Sequence, residues 1–179
     1  RQLWDEVVAA NAVLMSFLMM ISYGMDGFAY AMEALVGKAV GARDRGELNE
    51  SLVGTSFWSL IICLLLTLLF GLAGSQMIGL ITDIASVHQQ ALIYLPWLVA
   101  MPMVAMWCFL LDGVFIGATK GREMRNSMFV ATCVFFVVFY VWSGWGNHAL
   151  WFAMLSFMAV RGITLALLLR QQWRRDVFL

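Results

Sequence analysis

Residues 23–43 read YGMDGFAYAMEALVGKAVGAR and combine two features that rarely occur together. The segment begins inside an apolar run that is long enough to cross a bilayer, and it ends among basic residues. Two carboxylates, Asp26 and Glu33, lie within it. An ionisable side chain in hydrocarbon costs at least about 2.5 kcal/mol on insertion scales, so each acid is a candidate functional residue.

The composition indicates a polytopic membrane protein. Of the 179 residues, 63% are hydrophobic and only 12% are charged, and the mean hydropathy is +0.85. A soluble domain of this size has too little interior to hide so many apolar side chains. The formal net charge is zero. This excludes a strongly basic nucleic-acid-binding surface, and we expect no nucleic-acid partner.

The hydropathy pattern predicts an all-α membrane protein with five transmembrane helices. The first helix would be roughly 50 Å long, more than the bilayer core of about 30 Å, so it must tilt, kink or extend beyond the membrane. Gly24 and Gly27 are its expected sites of bending or close packing. The predicted helices are 7–40, 52–72, 92–118, 126–142 and 149–169.

Several local signals suggest where these helices begin and end. Asn49 and Ser51 are candidate caps for the second helix. Its apolar pattern is interrupted by three glycines, at positions 71, 74 and 79. Pro96 and Pro102 fall in the first turns of the predicted third helix, where we expect a kink. Because the chain starts with Arg1 and carries no signal peptide, we interpret it as a fragment whose N-terminal part is missing.

Basic residues alternate between the predicted connections and set the orientation. They follow helices one, three and five, whereas the two intervening connections carry none. By the positive-inside rule, this places the C-terminus in the cytoplasm and the start of helix one outside. The basic residues are Lys38, Arg43, Arg45, Lys120, Arg122, Arg125, Arg170, Arg174 and Arg175.

Three polar residues of the first helix share one face. Asp26, Tyr30 and Glu33 are spaced i, i+4, i+7, so they could line a water-filled cavity that takes up a cation or proton. Alternatively, Asp26 caps a broken helix or bonds a neighbouring span, and Glu33 is an acid at the membrane interface. The residue spacing leaves these alternatives open.

Asp112 and Arg161 lie at similar depths on different helices. A buried ion pair is the simplest way for both charges to be tolerated. Paired, Asp112 would be a structural or gating residue; unpaired, it would be a proton or cation site. We expect no metal site and no enzyme activity, because the sequence carries no metal-ligand cluster and no nucleophile motif.

Four segments resemble the MATE family of multidrug and toxin extruders. Residues 8–11 (VAAN) and 35–42 (LVGKAVGA) resemble the second helix of a MATE lobe. Residues 26–29 (DGFA) and 111–119 (LDGVFIGAT) resemble the DinF branch. The resemblance covers nearly the whole chain. It implies that this chain corresponds to helices eight to twelve of a twelve-helix transporter, which is most of the C-terminal lobe.

This resemblance implies a cation-coupled efflux antiporter that works by alternating access, in a bacterial-type inner membrane. Its coupling ion would be a proton or sodium, without another cofactor. Its partners would be amphipathic or cationic substrates, the bilayer and the missing N-terminal lobe. Asp112, Asp26 and Arg161 are then the candidate coupling or buried charges, and Tyr30 and Glu33 the cavity groups. The alternatives are a flippase for a lipid-linked precursor and a non-transporting membrane scaffold.

Overall fold

The fold is a bundle of five long α-helices joined by short connections. The computed structural model describes residues 2–176. Within that range every helix is long and apolar enough to cross a membrane. A 3₁₀ turn, Ser143–Trp145, precedes the last helix. The helices are α1 (Gln2–Ala42), α2 (Arg45–Ile81), α3 (Ala85–Gly117), α4 (Gly121–Val141) and α5 (Asn147–Arg174).

The helices extend beyond the apolar segments that predicted them. α2 begins at Arg45 because Asp44 is its N-cap and accepts a hydrogen bond from the Glu47 backbone nitrogen at 3.0 Å. The prediction that Asn49 or Ser51 caps this helix is therefore wrong. Capping by Asp44 allows α2 to start with polar residues outside the apolar run. Hydropathy reports the part of a helix that lies in lipid, and not where its hydrogen bonding ends.

The predicted break of α2 at its glycines is wrong, and the prolines do not lie in the first turns of α3 as predicted. α2 continues unbroken through the three glycines at 71, 74 and 79 to Ile81. Pro96 and Pro102 lie well inside α3, which begins at Ala85 instead of Leu92. A Cβ at Gly74 would lie 2.6 Å from Leu95 Cδ2. Gly74 thus provides room for a side chain of α3, which is a packing role and not a helix break.

α3 is the central helix of the bundle. It packs against each of the other four helices. In the most apolar part of α3, 56% of the residues are buried, whereas the corresponding figure for α4 is 11%. The largest fully buried side chains of the described bundle include Phe17, Phe70, Phe115 and Trp151. α4 is peripheral and packs mainly against α5.

α3 approaches α1 most closely at two glycines. A Cβ at Gly113 would lie 2.5 Å from the Ala29 carbonyl oxygen, and one at Gly117 would lie 2.5 Å from the Glu33 carbonyl oxygen. Backbone therefore meets backbone at both positions of this GxxxG sequence. In membranes such small residues permit the close packing that replaces the hydrophobic driving force. The close packing predicted at Gly24 and Gly27 is absent, since a Cβ at either would meet nothing within 4 Å.

The connections bring the basic residues to one end of the bundle. Lys38 at the end of α1 pairs with Glu47 of α2 at 2.7 Å. Arg45 pairs with Asp176, which follows α5. We call this end the basic end; the opposite end contains residues 82–84, residues 142–146 and the beginning of α1.

Replacing Gly113 or Gly117 with alanine should destabilise the protein. The added methyl group meets a backbone carbonyl, so α1 and α3 must separate, at a cost of about 1–3 kcal/mol, typical of overpacking. The measurement is the thermal unfolding midpoint of the detergent-purified protein. Gly27→Ala is the matched control because Gly27 also follows an aspartate but has open space around it. Equal midpoints for Gly113→Ala and Gly27→Ala would contradict this packing account.

Candidate functional site

A buried ion pair lies at the centre of the candidate site. Asp112 of α3 and Arg161 of α5 form a salt bridge with 2.6 Å between Oδ2 and Nη2. Their side chains are only 13% and 15% exposed. The structure thus brings together the two charges that the sequence placed at similar depth. Neither charge is isolated, so each can be tolerated inside an apolar bundle.

The pair leaves hydrogen-bonding capacity unused on both partners. Asp112 Oδ1 and Arg161 Nε are buried and have no hydrogen-bond partner among the described residues. The contact is therefore single, not the bidentate arrangement that best satisfies a guanidinium and a carboxylate. Buried polar atoms without partners are energetically unfavourable. This pair is consequently easier to separate than a fully satisfied one would be.

A hydroxyl cluster joins α4 to the same turn of α5. The Ser127 hydroxyl lies 2.6 Å from the Thr164 hydroxyl and 3.3 Å from the Arg161 carbonyl oxygen. Ser127 is almost completely buried, with 2% exposure. Polar contacts therefore hold α3, α4 and α5 together around Arg161. Neither Ser127 nor Thr164 was predicted as a site residue. The available signal was the presence of a hydroxyl side chain within each of two consecutive apolar helices.

Gly113 fixes the turn of α3 that carries Asp112. Its backbone lies directly against α1 at Ala29, so the turn of α3 that carries Asp112 is held by a contact without side-chain flexibility. Cys108, one turn earlier on α3, is buried. Asp112 is therefore presented to α5 from a rigid element, which favours a defined ion-pair geometry.

A second polar contact joins α1 to α5 at the end opposite the basic end. Asn11 and Asn147 exchange two amide hydrogen bonds of 2.7 Å, and Trp151 Nε1 donates to Asn11 Oδ1 at 3.1 Å. Nearby, Trp97 Nε1 of α3 donates to His148 Nδ1 at 3.0 Å. No sequence pattern predicts this asparagine clamp, because it joins residues 136 positions apart. α5 is thus attached at two levels along its length.

The remaining predicted site residues lie on α1. Tyr30 is 69% exposed, and with Glu33 it lines a cavity of about 330 Å³ beside Gly117. Asp26 is half-buried and lies outside that cavity. In the part of the chain that the structure describes, neither acid forms an ion pair. The structure thus brings Tyr30 and Glu33 together but leaves Asp26 apart from them.

Comparison with known proteins identifies the family. The MatE family model matches residues 2–142 of the chain. The chain belongs to the MATE family. It is 45% identical over 177 residues to the DNA damage-inducible protein F of Escherichia coli (strain K12), a match that covers 99% of this chain and 39% of that relative. This likeness supports the DinF branch. No solved structure matches the chain significantly.

Family membership confirms the predicted fold class. This MATE chain is an all-α membrane protein, and its residues 2–176 form five long apolar helices. It spans about two fifths of the length of the curated relative that it matches. The Asp112–Arg161 pair lies partly outside the matched residues 2–142, since Arg161 follows them. The geometry of the pair therefore comes from the structure and not from the family match.

Separating the charges by mutation should be strongly destabilising. In this MATE chain Asp112→Asn leaves Arg161 buried without a counter-charge, and removing one partner of a buried pair typically costs about 3–5 kcal/mol. The double variant Asp112→Leu with Arg161→Met should recover much of that loss, because neither charge then remains. Thermal unfolding of the two variants and the parent measures the difference.

The control is the exposed pair at the basic end. Glu47→Gln should change the midpoint much less, because Lys38 stays in water after its partner is removed. A double variant that is less stable than Asp112→Asn would show that Asp112 and Arg161 act independently.

Proposed function

We propose that this chain is the C-terminal-lobe part of a cation-coupled multidrug efflux antiporter. The observation that carries the proposal is the buried, singly bonded Asp112–Arg161 pair between α3 and α5. The proposal places helices eight to twelve of a twelve-helix transporter in residues 2–176. The basic end then faces the cytoplasm, in agreement with the positive-inside rule.

In the proposed mechanism, a cation competes with Arg161 for Asp112. A proton or sodium ion that reaches the Asp112 carboxylate weakens the attraction that joins α5 to α3. The coupling free energy equals the difference in cation-binding free energy between the state in which Asp112 and Arg161 are paired and the state in which they are separated. Because Asp112 Oδ1 has no hydrogen-bond partner in the described chain, it is the oxygen at which the cation would first bind.

The movement of α5 would link this event to alternating access. α5 is attached to α1 by the asparagine clamp and to α3 by the ion pair, at different levels. Loss of the ion pair releases α5 from α3 at that level, while the clamp still anchors the opposite end. The basic end of α5 would then move once the exposed contacts of Arg45 with Asp176 and the Trp173 carbonyl oxygen also open. Such rocking of packed elements is a common form of transporter gating.

Unpaired acids on α1 favour cationic substrates. Asp26 and Glu33 would attract amphipathic cations and repel the anionic head of a lipid-linked precursor, so they favour efflux over the flippase alternative. A non-transporting scaffold is favoured only if every intramembrane charge is paired. Asp26 has no ion-pair partner in the described residues, which supports a transport role.

Efflux measurements on the complete transporter test the proposal. Asp112→Asn should reduce cation-driven export of an amphipathic cationic dye by about tenfold or more, within the range of typical coupling free energies. Asp26→Asn should reduce this export less, because Asp26 forms no interhelical ion pair among residues 2–176. The assay compares dye efflux from cells that lack other exporters, at equal protein levels.

Asp83→Asn is the control for this experiment. Asp83 is exposed in the connection between α2 and α3, at the opposite end from the basic end. Dye efflux by the Asp83→Asn variant should therefore equal that by the parent. Unchanged efflux in both Asp112→Asn and Asp26→Asn would overturn the coupling proposal.

A further inference from the structure

A large apolar pocket lies at the basic end between α2 and α5. Its volume is about 410 Å³, and α3 contributes its floor. We call it the α2–α5 pocket. Apolar side chains dominate its wall, and 410 Å³ falls within the range of pockets that hold small organic molecules. Its apolar lining includes Leu52, Trp107, Leu110, Ala166 and Leu169.

Two arginines form the rim of this pocket. Arg170 and Arg174 are spaced i, i+4 on α5 and therefore lie on the same face of the helix. Both are exposed, and both also line an adjoining cavity of about 390 Å³. The pocket thus has an apolar interior and a positively charged mouth, which is an amphipathic arrangement.

The arginines of the rim are not neutralised within the described chain. None of the described residues that line either cavity carries a carboxylate. Two acids at the same end are already engaged, since Glu47 pairs with Lys38 and Asp176 with Arg45. Arg170 and Arg174 form no ion pair among residues 2–176. Their charge is available to an anion from outside these residues.

We propose that the α2–α5 pocket binds an anionic phospholipid of the surrounding bilayer. Its phosphate would contact Arg170 and Arg174, and part of an acyl chain would lie against Trp107 and Leu110. Basic pockets between transmembrane helices on the cytoplasmic side are suited to anionic head groups. A lipid is the occupant that fits because the pocket combines this charge with an apolar interior in a membrane protein. This inference does not depend on the efflux proposal.

Native mass spectrometry of the detergent-purified protein tests the binding. The protein is titrated with phosphatidylglycerol and, separately, with phosphatidylcholine that has the same acyl chains. We expect tighter binding of phosphatidylglycerol, and about a fivefold loss of affinity for each arginine replaced in Arg170→Gln and Arg174→Gln. Arg122→Gln with Arg125→Gln is the matched control, because these exposed arginines lie at the same end on α4 and line neither cavity.

Two further variants test the apolar half of the pocket. Ala166→Trp and Leu52→Trp fill it from opposite walls while leaving both arginines in place. Each should weaken binding of both lipids, and excess inorganic phosphate should not displace phosphatidylglycerol. Three results would overturn the proposal. They are equal binding of the two lipids, an equal loss of phosphatidylglycerol affinity in the α4 control variant, and displacement of phosphatidylglycerol by inorganic phosphate alone. Gel filtration and helicity measured by circular dichroism establish first that each variant is folded.

Discussion

α3 reaches the backbone of α1 only because positions 113 and 117 carry no side chain. At both glycines a Cβ would lie 2.5 Å from a carbonyl oxygen of α1. Apolar side chains gain little from leaving lipid for protein, so a membrane bundle depends on such close packing and on polar contacts. α3 also contacts α2, α4 and α5. A displacement of α3 from α1 would therefore alter the whole bundle.

The buried charges depend on this arrangement. Asp112 precedes Gly113, so the contact between α3 and α1 sets the level at which its carboxylate meets α5. Arg161 is the partner at that level. On the next turn of α5, the Thr164 hydroxyl contacts the Ser127 hydroxyl of α4. The pair is held by one short contact and retains an unsatisfied atom on each side. It is thus positioned firmly by the backbone but bonded incompletely, which suits a contact that opens and closes.

The sequence predicted the parts of this structure that follow from local chemistry. Runs of apolar residues indicated five helices, and matched depth suggested that Asp112 could meet Arg161. The extension of α2 depended on Asp44, because a single capping side chain can start a helix outside the apolar run. Hydropathy is insensitive to such caps, so the predicted boundaries were too short.

Apart from the Asp112–Arg161 pair, contacts between distant residues were beyond sequence reasoning. The roles of Gly113 and Gly117 depend on what faces them across the helix interface. Gly24 and Gly27 are equally small but face open space, and the sequence does not distinguish the two pairs. The asparagine clamp likewise depends on the rotation of α1 and α5 about their axes, which hydropathy does not determine.

The measurement that tests the central claim most directly is infrared difference spectroscopy of the Asp112 carboxyl group. Spectra of the purified complete transporter are compared before and after acidification or sodium addition, with Asp112→Asn as the reference. The proposed exchange of Arg161 for a cation predicts a carboxyl band that changes in the parent and is lost in Asp112→Asn. Identical difference spectra for the parent and Asp112→Asn under both conditions would contradict the claim that Asp112 binds the coupling cation.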